Sequence, residues 1–240
     1  AAEIERIAAK VEGSVDAHEQ AVALRNLSKV LGWAGKTDEA DRLALRAVEL
    51  DPDDAEAQYQ AGSARFRRGE WDRAAEHYQT AIRHHPGLAE AHYALGRIRA
   101  EQGDAIQAGE HYEDALRQNP RLSQAHYELG LLSETLNEPD RAAAHYAEAL
   151  RVNPQDFRSL NNLAILRSND GRTAEAIALL ERAVRANPRF AHARLNLCAL
   201  YAAAGRHADA RAQYRELIRL EPKLAEDLTD LHRQIFPDAE

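Results

Sequence analysis

The side chains best suited to chemistry in this 240-residue chain are eleven histidines and a lone cysteine. Imidazoles could ligate a metal or move protons, and a thiolate could act as a nucleophile. Their spacing argues against all three roles. His77, His111 and His145 recur at intervals of 34 residues, as do His92 and His126. If that interval is a structural repeat of paired helices, equivalent positions stand about 10 Å apart, the helix packing distance. Zinc holds its ligands at about 2 Å, so one column cannot converge on an ion. His84 and His85 fall where a helix should end, facing its dipole favourably. Cys198 occupies a column of small residues, which predicts a packed, inert thiol. One cysteine also excludes an internal disulfide framework. No phosphate-binding glycine loop, paired-carboxylate site or Ser-His-Asp arrangement stands out. We therefore expect no catalytic residues, no metal site and no cofactor.

The elements that must carry these residues follow from the same interval. Six of the eight prolines stand at 52, 86, 120, 154, 188 and 222, always 34 residues apart. Units beginning three residues after a proline run 21–54, 55–88, 89–122, 123–156, 157–190 and 191–224. Twelve residues before each proline is an alanine: Ala40, Ala74, Ala108, Ala142, Ala176 and Ala210. A second column is small throughout: Ser28, Gly62, Gly96, Gly130, Ala164 and Cys198. A third reads Gly35, Gly69, Gly103, Asn137, Gly171 and Gly205. This last column suits a helix C-cap at positive φ, which asparagine also tolerates. The proline ends a second helix, because it lacks an N–H and constrains its predecessor. Small residues on facing helices allow close approach, with Leu95, Leu129, Leu163 and Leu197 filling the seam. Each unit is thus a helix–turn–helix hairpin that must stack on neighbours to bury its apolar face.

The 34-residue pattern resembles the tetratricopeptide repeat, for example in AEAQYQAGSARFRRGEWDRAAEHYQTAIRHHPGL at 55–88. The resemblance covers 21–224 and implies an all-α, right-handed α-solenoid of six hairpins. It departs from the family in carrying Arg65, Arg99 and Arg167 where a large residue is usual, and Pro139 in the fourth turn. The arginines are expected to lay their stems along the next repeat with heads in water. Capping helices are expected at each end, within 1–20 and 225–240, with Asp16 and Glu19 capping the first repeat helix.

The resemblance also implies a concave groove lined by the first helix of each unit. Tyr59, Tyr93 and Tyr127, five residues into their units, would stand in it as amphipathic contacts. The column continues as Asn161 and Leu195, flanked by Asn162 and Asn196. These asparagines resemble, over few rungs, the ladder in the superhelix of O-linked N-acetylglucosamine transferases, where amides hold a peptide backbone. The five positions of the chaperone-tail carboxylate clamp do not fit, whether started at Arg25 or at Tyr127.

Charge completes the reading. Residues 1–156 carry 18 Lys+Arg against 28 Asp+Glu, whereas 157–224 carry 12 against 6. Arg158 and Arg194 lie beside the asparagines, so an acidic ligand would be steered to that end. A net charge of −8 disfavours nucleic acid, and no run of about 20 apolar residues could span a bilayer. The expected function is a non-catalytic scaffold or adaptor binding a protein or extended peptide through Tyr59, Tyr93, Tyr127, Arg158, Asn161, Asn162 and Asn196. The alternatives are the substrate-recruiting arm of a larger glycosyltransferase- or sulfotransferase-like enzyme, or a self-associating solenoid that forms homo-oligomers. The absence of methionine suggests a trimmed or processed N-terminus, and 27 arginines against 4 lysines suggest a bacterial protein of cytoplasm or periplasm.

Overall fold

Two backbone constraints, repeated along the chain, set the hairpins. The computed structural model describes residues 16–223 and Ile235, and twelve helices lie among them. They are α1 (Ala17–Trp33), α2 (Thr37–Leu50), α3 (Ala55–Arg67), α4 (Trp71–His84), α5 (Ala89–Glu101), α6 (Ala105–Gln118), α7 (Ser123–Thr135), α8 (Pro139–Val152), α9 (Phe157–Asn169), α10 (Thr173–Ala186), α11 (Ala191–Ala203) and α12 (His207–Leu220). Between the helices of a pair the chain turns left-handed, at φ +80° on Gly103 and 59° on Asn137. The next amide then reaches back five residues, as in Asp104 N to Arg99 O at 2.9 Å and Glu138 N to Ser133 O at 2.8 Å. The second constraint is proline. His85 and Asn119, each before one, leave their helices at φ −138° and −134°, the extended region a following proline imposes. Pro139 breaks nothing, because it opens α8 where its missing N–H is not needed.

The small-residue column is explained by what faces it. A Cβ on Gly62 would lie 2.7 Å from the Tyr78 ring, on Gly96 2.8 Å from Tyr112 and on Gly130 2.4 Å from Tyr146. Leu180 replaces the tyrosine in the fifth hairpin, and there the column widens to Ala164 in the same core cluster. Ser28 Oγ and Cys198 Sγ instead donate to the carbonyls of Ala40 and Ala210, at 2.8 and 3.4 Å. Burial pushes the Cys198 thiol up to about 11, in keeping with an inert packing residue.

The chain divides into two compact units, 1–120 and 121–240. The first contains α1 to α6, with cores around Leu24, Ala47 and Ala57 and around Tyr78, Leu95 and Ile98. The second contains α7 to α12, with cores around Tyr146 and Leu163 and around Leu160, Leu180, Leu197 and Tyr201. Within the units, first helices of successive hairpins touch: α1 with α3, α3 with α5, and α9 with α11. This is an all-α protein of the α-solenoid class. No described helix is long and apolar enough to cross a membrane.

Two local expectations are corrected. Asp16 precedes α1 but makes no side-chain cap; Asp54, Asp104 and Asp156 do so at α3, α6 and α9. The arginine heads are not left to water but meet groups in their own hairpins' turns. Arg65 reaches Glu70 at 3.0 Å, Arg99 reaches Gln102 at 2.9 Å and Arg167 lies 3.5 Å from Asp170. The expected terminal helices lie outside the described residues. Ile235 alone is described there, buried in the second unit's core and accepting from Arg211 Nε at 3.0 Å.

Candidate peptide-binding faces

In the second unit, α9 and α11 bring the three groove asparagines together, but as partners of one another. Asn196 Nδ2 donates to Asn161 Oδ1 at 2.9 Å, and Asn161 Nδ2 donates to Asn162 Oδ1 at 3.0 Å. Asn162 Nδ2 donates to Tyr146 Oη at 3.1 Å, and that hydroxyl donates to Glu134 at 3.0 Å. The relay crosses α11, α9, α8 and α7 in order. Asn161 is 5% exposed, so its amide is spent inside the protein rather than displayed as a rung. Burial raises the Tyr146 pKa far above its ordinary value, which keeps the hydroxyl a donor.

Tyr127 and Arg158 form the other half of this face. The guanidinium lies over the Tyr127 ring, 5.0 Å from its centroid, and the side chain is 53% exposed. Arg194 does not join it. Its Nε donates to Pro188 O at 3.0 Å and its Nη1 to Gln213 at 2.8 Å, so its guanidinium is held within its own hairpin.

In the first unit, Tyr59 and Tyr93 are half-buried and each leans on the second helix of its own hairpin. Their ring centroids stand 5.7 Å from Tyr78 and 5.8 Å from Tyr112. Tyr59 also lines a cavity of about 450 Å³ with Trp33, Gln60, Arg67 and Glu90. Trp33 is 78% exposed beneath the Lys29 ammonium, 5.8 Å away. The repeat columns did not single it out, because no other unit has an aromatic there; its signal was a tryptophan ending a first helix.

The histidines also meet within hairpins, between the two helices, rather than along columns. Positions 19 residues apart pair: Gln58 with His77, His92 with His111, His126 with His145, and Arg194 with Gln213. Spacing within one column says nothing of these pairs, although the 19-residue offset is legible in the sequence. Burial is the main cause lowering His77 and His111 below the ordinary value of 6.5. The unfolded chain therefore takes protons before the folded one as pH falls through about 6.5, and the stability these groups contribute above that value is lost below it. Urea midpoints should be lower at about pH 5.5 than at about pH 7.5, and the His77→Gln/His111→Gln variant should narrow the gap. An unaltered gap would exclude these two groups as its source.

Comparison with known proteins agrees with this architecture. The tetratricopeptide-repeat pattern matches residues 26–89, 59–123 and 93–157, and related patterns of the same repeat match 145–178 and 169–235. No curated protein matches the sequence. Among solved structures, PilF of Pseudomonas aeruginosa is similar at 22% identity and TM-score 0.77, over 85% of this chain and 94% of that one. YrrB, described as a TPR protein with an unusual peptide-binding site, is 22% identical at TM-score 0.60, over 75% and 92%. A thermophilic TPR protein of Thermus thermophilus, TTC0263, is 26% identical at TM-score 0.58, over 75% and 98%. With the hairpin turns, the packed glycine column and matches running from 26 to 235, this chain belongs to the tetratricopeptide-repeat family.

Proposed function

We propose that this chain is a non-catalytic scaffold that holds an acidic, extended segment of a partner protein against its first helices. Tyr127 and Arg158 contribute the contacts in the second unit; Tyr59 and Tyr93 offer a contact face of the first unit by itself. The observation that carries the reading is the Tyr127–Arg158 pair: an amphipathic ring and an exposed guanidinium at the start of two successive first helices. Asp156 caps α9 through Oδ2 and stands 3.9 Å from Arg158 Nε through Oδ1, a loose pairing that leaves the guanidinium's Nη donors for an incoming carboxylate. The cationic excess of 157–224 favours the same ligand sign. YrrB offers a precedent for a peptide site on such repeats. Asn161 and Asn162 serve mainly to hold the helices in register, and Asn196 keeps its carbonyl oxygen for a ligand.

The test is a random peptide library panned against the full chain, followed by Kd measurements with the strongest synthetic hit. Arg158→Ala should weaken binding about tenfold or more, the worth of a charge-assisted hydrogen bond. Tyr127→Ala should also weaken it, and Asn162→Ala/Asn196→Ala should do so less than Arg158→Ala. Added salt should penalise the parent more than Arg158→Ala. Hits without acidic residues, or a Kd indifferent to both Arg158 and Tyr127, would sink the reading.

A further inference from the structure

We infer that His92, His111 and Asp114 form a binding site for a divalent late first-row metal ion, zinc being the chemical type specimen. The site lies inside the third hairpin. His111 and Asp114 stand one turn apart on α6, and His92 faces them from α5. One donor atom from each residue lies within 4.8 Å of the others. Tetrahedral zinc with bonds of about 2 Å would place its ligands about 3.3 Å apart, so modest side-chain adjustment brings the three onto one ion.

What makes this more than proximity is where the protons must be. His92 Nε2 lies 3.1 Å from the carbonyl of Pro86, which can only accept, so Nε2 carries the hydrogen. In the neutral ring that leaves a lone pair on Nδ1, which is buried without a hydrogen-bond partner. It faces Asp114 Oδ2 at 3.8 Å, beyond hydrogen-bonding reach. Nδ1 of His111 is likewise buried and unpartnered. The other carboxylate oxygen of Asp114 is held by Arg117, which leaves Oδ2 for the site. In the neutral His92 ring a lone pair thus faces a carboxylate oxygen, and a metal cation between them relieves that repulsion. A ring nitrogen that ligates while its opposite N–H donates to a backbone carbonyl is the usual outer support of a metal-bound histidine. Two imidazoles and one carboxylate suit zinc and its neighbours rather than calcium or magnesium.

Other hairpins show what this position looks like when it is internally satisfied. Gln58 Nε2 bonds the Pro52 carbonyl at 2.7 Å while its oxygen meets His77 Nδ1, also at 2.7 Å. His126 and His145 bring their Nδ1 atoms to 3.5 Å, close enough to share one proton. The His92–His111 pair differs in leaving both Nδ1 atoms unpartnered.

The experiment is a zinc chloride titration of the EDTA-stripped full chain by calorimetry, with thermal melts in parallel. His92→Gln is the chosen variant, since Gln58 shows that glutamine keeps the proline-carbonyl bond; Asp114→Asn is the second. The parent should bind one equivalent of zinc at micromolar concentration. Its Tm should rise by about 5 °C at zinc about a hundredfold above its Kd. Cobalt bound in its place should give the visible spectrum of a low-symmetry nitrogen–oxygen site. His92→Gln should melt like the parent without metal yet lose the rise. No binding by the parent would overturn the proposal. So would a shift kept in both His92→Gln and Asp114→Asn but abolished by His145→Gln, which would place the ion in the fourth hairpin.

Discussion

Gly130→Ala should destabilise the protein by about 1–3 kcal/mol, although alanine is the better helix former. Added to Gly130, a Cβ would stand 2.4 Å from the Tyr146 ring, so the helix-propensity gain of about 1 kcal/mol is outweighed by overpacking. Tyr146 cannot step aside cheaply, since its ring is fully buried and its hydroxyl is tied to Glu134 and Asn162. The fifth hairpin suggests the compensating change. Ala164 and Leu180 stand there in place of Gly130 and Tyr146. In a denaturant-melt cycle, Gly130→Ala should therefore cost less in a Tyr146→Leu background than in the parent, with a coupling of about 0.5–3 kcal/mol. Additive effects would mean that the glycine column is not set by the tyrosine facing it.

Asn161→Ala should also cost about 1–3 kcal/mol, because it strands both the Asn196 amide that donates to it and the Asn162 oxygen that accepts from it. Lost volume alone would do part of this, so Asn161→Leu is the informative companion. Leucine fills the space but restores neither hydrogen bond, and it should remain well below the parent in urea midpoint. If leucine matches or exceeds the parent, the relay contributes little and the site asks only for bulk. The same variants separate stability from recognition. A chain weakened in folding but unaltered in its Kd for a selected peptide would place Asn161 wholly on the structural side.

The repeat, its hairpins and their stopping points were legible in the sequence because each rests on a local backbone requirement. A proline restricts its predecessor whatever surrounds it. Positive φ selects glycine, or Asn137, without reference to distant residues. Small columns also announced close helix packing, and Cys198 could be read as inert from its place in one. What depended on two helices meeting was not readable from single columns. Asn161, Asn162 and Asn196 looked like displayed rungs, yet the structure turns them on one another and on Tyr146. Arg194 looked like a surface cation, but a carbonyl and Gln213 hold it inside. His92 and His111 belong to separate columns and became neighbours only when α5 folded against α6. Sequence periodicity specifies which residues share a helix face. Whether a polar group on that face reaches outward or finds a partner within depends on donor and acceptor geometry across the interface, which only the folded chain decides.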